Sequence, residues 1–147
     1  MRFTNEPVCA LGVDPTDSGR VFAGSAEGLF ASTDSGASWN KVLNSPVTSI
    51  AFDGRGSVYA GMSGDYPAGP RENVLARSSD GGRTWTNVIL PPNPDITFRA
   101  QANWVSLVVG GDTVALAVSY QPPTSDLSQL DFYRSTVAGC TWPQPLY

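Results

Sequence analysis

The chain has 147 residues, 15 of them glycine and 12 proline, and a formal net charge of −4. Nine Lys and Arg residues are scattered singly, so no basic stripe is present to neutralise phosphates and we expect no nucleic-acid partner. The sequence contains no histidine, which excludes histidine-based catalysis and histidine-ligated metals. Its two cysteines are too few for a disulfide scaffold or a metal site, and Cys9, between Val8 and Ala10 in a predicted strand, is expected to be a small buried residue. We expect neither a metal nor a cofactor.

Short apolar segments separated by turn residues follow one another along the chain, and no segment carries a sustained helical period. The predicted strands of the first unit cover 8–13, 21–25, 28–32 and 39–43. Those of the second cover 47–52, 57–62, 73–77 and 85–90, and those of the third 104–109, 113–120 and 131–134, followed by a fourth after the last tryptophan. The chain is therefore predicted to be all-β, with four antiparallel strands in each of three units. No apolar run is long enough to cross a bilayer, so we expect no membrane insertion.

One eight-residue motif, S-x-D-x-G-x-[ST]-W, ends the third strand of each unit. Its three copies contain Ser32, Asp34, Gly36 and Trp39; Ser78, Asp80, Gly82 and Trp85; and Ser135, Gly139 and Trp142. The aspartate can accept hydrogen bonds from backbone N–H groups of a turn, the glycine can adopt positive φ, and the tryptophan can bury a large ring. These are structural roles. The third copy has Val137 in place of aspartate, so we expect other contacts and a different shape in that turn.

The motif is the Asp box, and the chain resembles the BNR-repeat β-propellers, which include sialidases, xyloglucanase-like glycosidases, sortilin-type receptor domains and photosystem II assembly factors. Val-Phe-Ala-Gly at 21–24 and Val-Tyr-Ala-Gly at 58–61 are similar to the second strand of this family. The resemblance implies three blades, at about 7–45, 46–91 and 102–147. It also favours an extracellular, periplasmic or cell-surface location. Since propellers have four to eight blades, we expect further blades from the same protein or self-association.

Long loops are predicted on one face of the second and third blades. They carry aromatic, arginine and acidic residues, which form a candidate binding surface: Tyr66, Arg71, Glu72, Asp95, Phe98, Arg99, Tyr120 and Asp126. Such residues on loops of a rigid scaffold are typical of binding sites. The alternative is a set of ordinary solvated loops.

The predicted function is a non-catalytic module that binds a protein or a glycan, or a subunit of a larger assembly. A purely structural repeat is a second possibility. The alternative is a fragment or divergent member of a propeller glycoside hydrolase. In the xyloglucanase-like family this resemblance places a catalytic aspartate where Ala26 stands, and the arginines lack the sialidase context. Glycosidases need two facing carboxylates, and Glu27 and Asp65 are the one pair that the turns suggest.

Overall fold

The computed structural model describes residues 5–66, 73–93, 100–123, 127–136, 138–139 and 141–143, with the backbone alone for residues 65, 66 and 101. Its twelve strands are β1 (Val8–Asp14), β2 (Asp17–Ser25), β3 (Gly28–Ser32), β4 (Asn40–Leu43), β5 (Val47–Phe52), β6 (Val58–Met62), β7 (Gly64–Tyr66), β8 (Leu75–Ser78), β9 (Thr86–Asn87), β10 (Ala100–Gly110), β11 (Thr113–Gln121) and β12 (Gln129–Ser135). In these residues no helix is long and apolar enough to span a membrane.

The strands form three four-stranded sheets, ordered β1-β2-β3-β4, β5-β6-β8-β9 and β12-β11-β10-β7. We call them blade 1, blade 2 and blade 3. Every pair of neighbouring strands is antiparallel, as expected for strands joined by tight turns. The sequence prediction of three four-stranded antiparallel blades is confirmed.

Blade 3 obtains its fourth described strand from an unexpected part of the chain. Strand β7 lies between β6 and β8 in sequence, where a long loop was predicted, yet it pairs with β10. The pairs join Gly64 to Ala102, Asp65 to Gln101 and Tyr66 to Ala100. Because β11 occupies only one edge of β10, the opposite edge is available for β7 to bond. This pairing ties the connection within blade 2 to blade 3.

The blades pack face to face through two apolar clusters. The cluster between blades 1 and 2 centres on Phe22, which is fully buried. Its ring lies 5.9 Å from that of Phe52 and meets Trp85 edge-on at 6.3 Å, both favourable aromatic arrangements. The cluster between blades 2 and 3 contains Tyr59, at the corresponding position of its blade, together with Val105 and Leu116.

Polar contacts also join blades 2 and 3. The Tyr59 hydroxyl donates to the carbonyl of Ala138 at 2.9 Å. The hydroxyl of buried Thr48 donates to the carbonyl of Val105 at 2.9 Å and accepts from its N–H at 3.0 Å. Because the Thr48 hydroxyl bonds to both backbone groups of Val105, neither of those two groups is buried without a partner.

Cys9 differs from its prediction. Its position in an apolar strand suggested a small buried residue, but the thiol is exposed, and Sγ lies 3.8 Å from the carbonyl of Pro7. The pairing of β1 with β2 shifts register between Val8 and Ala10. The shift places Cys9 outside the regular ladder, so alternation along the strand does not determine its burial.

The close packing of blade 2 against blade 1 predicts that a methyl group added at Gly82 destabilises the fold. This glycine has φ of +88°, and a Cβ there would lie 2.4 Å from Cζ of Phe22. Gly54 has φ of +71° with no heavy atom within 4 Å of its Cβ position in the described part of the chain. Both Gly82→Ala and Gly54→Ala place an alanine at positive φ, which lowers the free energy of unfolding by about 1–2 kcal/mol. Gly82→Ala also overpacks the contact with Phe22, which lowers the free energy of unfolding by a further amount of about 1–3 kcal/mol.

Urea denaturation measures both free energies of unfolding. Gly54→Ala is the matched control because it shares the backbone conformation without the contact. Equal losses in the two variants would show that Gly82 is not tightly packed against blade 1.

Candidate functional site

The first two Asp boxes share one network of hydrogen bonds. The hydroxyl of Ser32 donates to Asp34 at 2.7 Å and accepts from the N–H of Gly36 at 2.9 Å. Asp34 accepts from both the N–H and the hydroxyl of Ser38, at 2.8 and 2.6 Å, and the indole of Trp39 donates to the carbonyl of Gly36 at 2.9 Å. The carboxylate is therefore used within its own turn.

The second box repeats these contacts. Asp80 accepts from the hydroxyl and the N–H of Thr84 at 2.6 and 2.9 Å and from the hydroxyl of Ser78 at 2.7 Å. The N–H of Gly82 donates to Ser78 at 2.8 Å, and the indole of Trp85 donates to the carbonyl of Gly82 at 3.1 Å. The two aspartates therefore perform the same role in successive blades.

Hydrogen bonds that favour the charged form lower the pKa of a carboxyl group. The hydroxyl and the N–H of Ser38, followed by the hydroxyl of Ser32, lower the pKa of Asp34 to about 2. The Thr84 hydroxyl and N–H, followed by Ser78, hold the pKa of Asp80 well below its usual range. A group that is ionised so strongly is poorly suited to donate a proton near neutral pH. It is well suited to hold a turn.

The described part of the third box keeps the shape of the first box without an aspartate. The N–H of Gly139 donates to the hydroxyl of Ser135 at 3.1 Å, and the indole of Trp142 donates to the carbonyl of Gly139 at 3.0 Å. Ala138 has φ of 52° and Gly139 of 74°, near the 60° and 92° of the corresponding pair in the first box, Ser35 and Gly36. The described part of this turn thus contradicts the predicted change of shape. Val137 itself lies outside the described residues.

The predicted loop surface lies mostly outside the described residues. This holds for Arg71, Glu72, Asp95, Phe98, Arg99 and Asp126, while Tyr66 is described only as backbone in β7. Tyr120 lies in β11 and is 3% exposed, with its hydroxyl 3.0 Å from Oε1 of Gln129. Its ring therefore belongs to the core, because alternation in β11 turns this position towards blade 2. Tyr120 does not contribute to a surface.

The two carboxylates considered for glycoside hydrolysis occupy different settings. Glu27 lies in the turn between β2 and β3 and accepts from the N–H of Asn5 at 3.3 Å. Asp65 lies in β7, which belongs to the sheet of blade 3. The sequence had suggested that the two residues lie in equivalent hairpin turns, and the structure shows that they do not. The described residues also contain no group of three Cys, Asp or Glu side chains that could hold a metal ion.

One surface of the described chain combines regular geometry with exposed apolar side chains. On blade 3, the rows Trp104-Ser119-Leu130, Ser106-Ala117-Phe132 and Val108-Ala115-Arg134 are paired across β10, β11 and β12. They lie on the face turned away from blade 2, which we call the open face. Its large apolar members, Trp104, Val108, Leu130 and Phe132, are 45–69% exposed. A groove of about 520 Å³ runs along it, with Ala115 and Ala117 in its lining.

Sequence reasoning missed the open face, although a signal was present. The run Trp104-Val-Ser-Leu-Val-Val109 in β10 is almost continuously apolar. A strand with one solvated face alternates apolar and polar residues, whereas a strand buried on both faces is apolar throughout. The run therefore indicated that blade 3 has a partner on each side.

Comparison with solved structures supports the architecture. YCF48 from Cyanidioschyzon merolae matches 97% of this chain with a TM-score of 0.57 and 13% identity. The chain has the fold of an Asp-box β-propeller. The GH74 xyloglucanase from Xanthomonas campestris also covers 97% of it, with a TM-score of 0.42 and 17% identity. The chain spans 38% of the length of YCF48 and 30% of the xyloglucanase. No family model and no curated protein matches the sequence.

The ionisation of the Asp box predicts a pH dependence of stability. Because the pKa of Asp34 is lowered to about 2 in the folded chain, its carboxylate stabilises the fold above the unfolded value of about 3.9. That contribution is lost as the pH falls from about 4 through 2. We expect Asp34→Asn to lower Tm at pH 6, and the difference from the native chain to shrink below pH 4.

Thermal unfolding at pH 6, 4, 3 and 2 measures the effect. Asp112→Asn is the control, because Asp112 forms an exposed ion pair with Arg55 and such pairs contribute little. A difference for Asp34→Asn that stays constant from pH 6 to 2 would contradict the role of the carboxylate.

Proposed function

We propose that this chain is a non-catalytic propeller segment that acts as an interaction module, and that its partner is a protein docked on the open face of blade 3. The observation that carries the proposal is the exposure of four large apolar side chains in register on one rigid sheet. Single exposed apolar residues are ordinary, whereas contiguous apolar patches mark interaction sites.

The chemistry of the open face favours a protein over a glycan. Its centre is formed by Val108, Phe132 and the two alanines, and Arg134 lies at one end. Aromatic and aliphatic centres with arginine nearby are typical of protein interfaces. A sheet face also loses little conformational entropy on binding, because its side chains are carried by paired strands.

Glycoside hydrolysis has less support. The reaction needs two carboxylates across the scissile bond, and the box aspartates are each engaged within their own turn. Glu27 and Asp65 lie in different kinds of element in different blades. An interaction module requires only the scaffold and an accessible apolar surface, both of which the described residues possess.

Partner capture tests the proposal. The purified chain is immobilised, exposed to extract of its own source cells, and the bound proteins are quantified by mass spectrometry. We expect Phe132→Glu to reduce the specifically bound protein at least about tenfold, because it places a charge in an apolar contact.

Ile89→Glu is the matched control, since Ile89 is 61% exposed and lies outside blade 3. Circular dichroism confirms that both variants fold. Capture that is equal for the native chain and Phe132→Glu would exclude the open face as the docking surface.

A further inference from the structure

The open face corresponds, position by position, to faces that are buried elsewhere in the chain. The second strand of each blade contains a valine at an equivalent position, Val21, Val58 or Val114, which pairs with Val13, Phe52 or Val109 of the first strand. The residue three positions after that valine pairs with the next strand of its sheet. Its partner is Leu29 in blade 1, Leu75 in blade 2 and Phe132 in blade 3. The two leucines are fully buried by the following blade, whereas Phe132 is 47% exposed.

The groove on the open face lies where the other blades carry an aromatic ring. Directly after the valine come Phe22 in blade 1, Tyr59 in blade 2 and Ala115 in blade 3. The rings of Phe22 and Tyr59 lie against the box glycines of the next blade, Gly82 and Gly139. With alanine at this position, blade 3 has space for an incoming box turn to approach more deeply.

The face of blade 1 that is turned away from blade 2 is the counterpart of the open face of blade 3. Ile50 and Phe52 on the first strand of blade 2 contact blade 1, and a Cβ at Gly12 would lie 2.7 Å from the Phe52 ring. The residues of blade 1 in the same registers, Leu11 and Val13, are 69% and 51% exposed. Blade 1 therefore presents apolar residues where a preceding blade would pack.

We propose that the open face of blade 3 binds blade 1 of a second copy of this chain, through a junction that repeats those between blades 1 and 2 and between blades 2 and 3. Leu11 and Val13 of one copy pack against Val108 and Phe132 of the other. Two such junctions join two copies into a closed ring of six blades, within the usual range of four to eight. This inference rests on the proposed function and identifies its partner.

Analytical ultracentrifugation of the 147-residue chain over a wide concentration range tests the proposal. We expect the native chain to reach twice its monomer mass, and Leu11→Glu and Phe132→Glu each to weaken the association by about 30-fold or more. Ile89→Glu should associate like the native chain. A single-chain mass at every concentration, or a dimer unaffected by Phe132→Glu, would overturn the proposal.

Mixing the two variants makes the test specific. Phe132→Glu retains an intact blade 1 and Leu11→Glu an intact open face, so one native junction forms between them. We expect the mixture to associate more tightly than either variant alone. No gain on mixing would overturn the head-to-tail arrangement.

Partner capture separates this inference from the proposed function. A monomeric chain that still binds another protein in a Phe132-dependent way contradicts the second copy alone. A monomeric chain with no Phe132-dependent binding contradicts both.

Discussion

The constraint on which the structure depends is that each sheet must cover its apolar faces with a neighbouring sheet. A four-stranded antiparallel sheet of this length has no core of its own, so burial occurs between blades. Phe22 and Tyr59 show how close that contact is, since a Cβ at Gly82 would lie 2.4 Å from the ring of Phe22 and a Cβ at Gly139 would lie 3.3 Å from the ring of Tyr59. The regular repeat of the chain follows from this requirement, because every blade must fit both of its neighbours.

The Asp box serves this packing. Its internal hydrogen bonds fix a turn with two successive residues at positive φ, and the turn places a glycine against the preceding blade. The described part of the third box has similar φ values, with the serine and indole contacts joined by bonds from the Ala138 N–H to Asp112 and from the Tyr59 hydroxyl to Ala138. The shape of the described part of this turn therefore does not depend on an aspartate. Conservation of that shape without the carboxylate agrees with a structural role for the motif.

The open face gives the interaction proposal its physical basis. Apolar burial contributes about 25 cal/mol for each Å² removed from water, and blade 3 leaves four large apolar side chains partly exposed. In blades 1 and 2 the corresponding area stabilises the fold. In blade 3 it is accessible to a partner, and the exposed Leu11 and Val13 of blade 1 offer a surface of the same kind.

The sequence by itself determined the all-β class and the arrangement in three four-stranded antiparallel blades. These features depend on local patterns: alternation, turn residues and an eight-residue motif repeated in register. Tertiary structure decided the rest. Strand β7 joins blade 3 by pairing with the edge of β10 that β11 does not occupy, a match between distant segments that no local pattern encodes. Tyr120 is buried and Phe132 exposed because only one face of blade 3 meets another blade within the described chain.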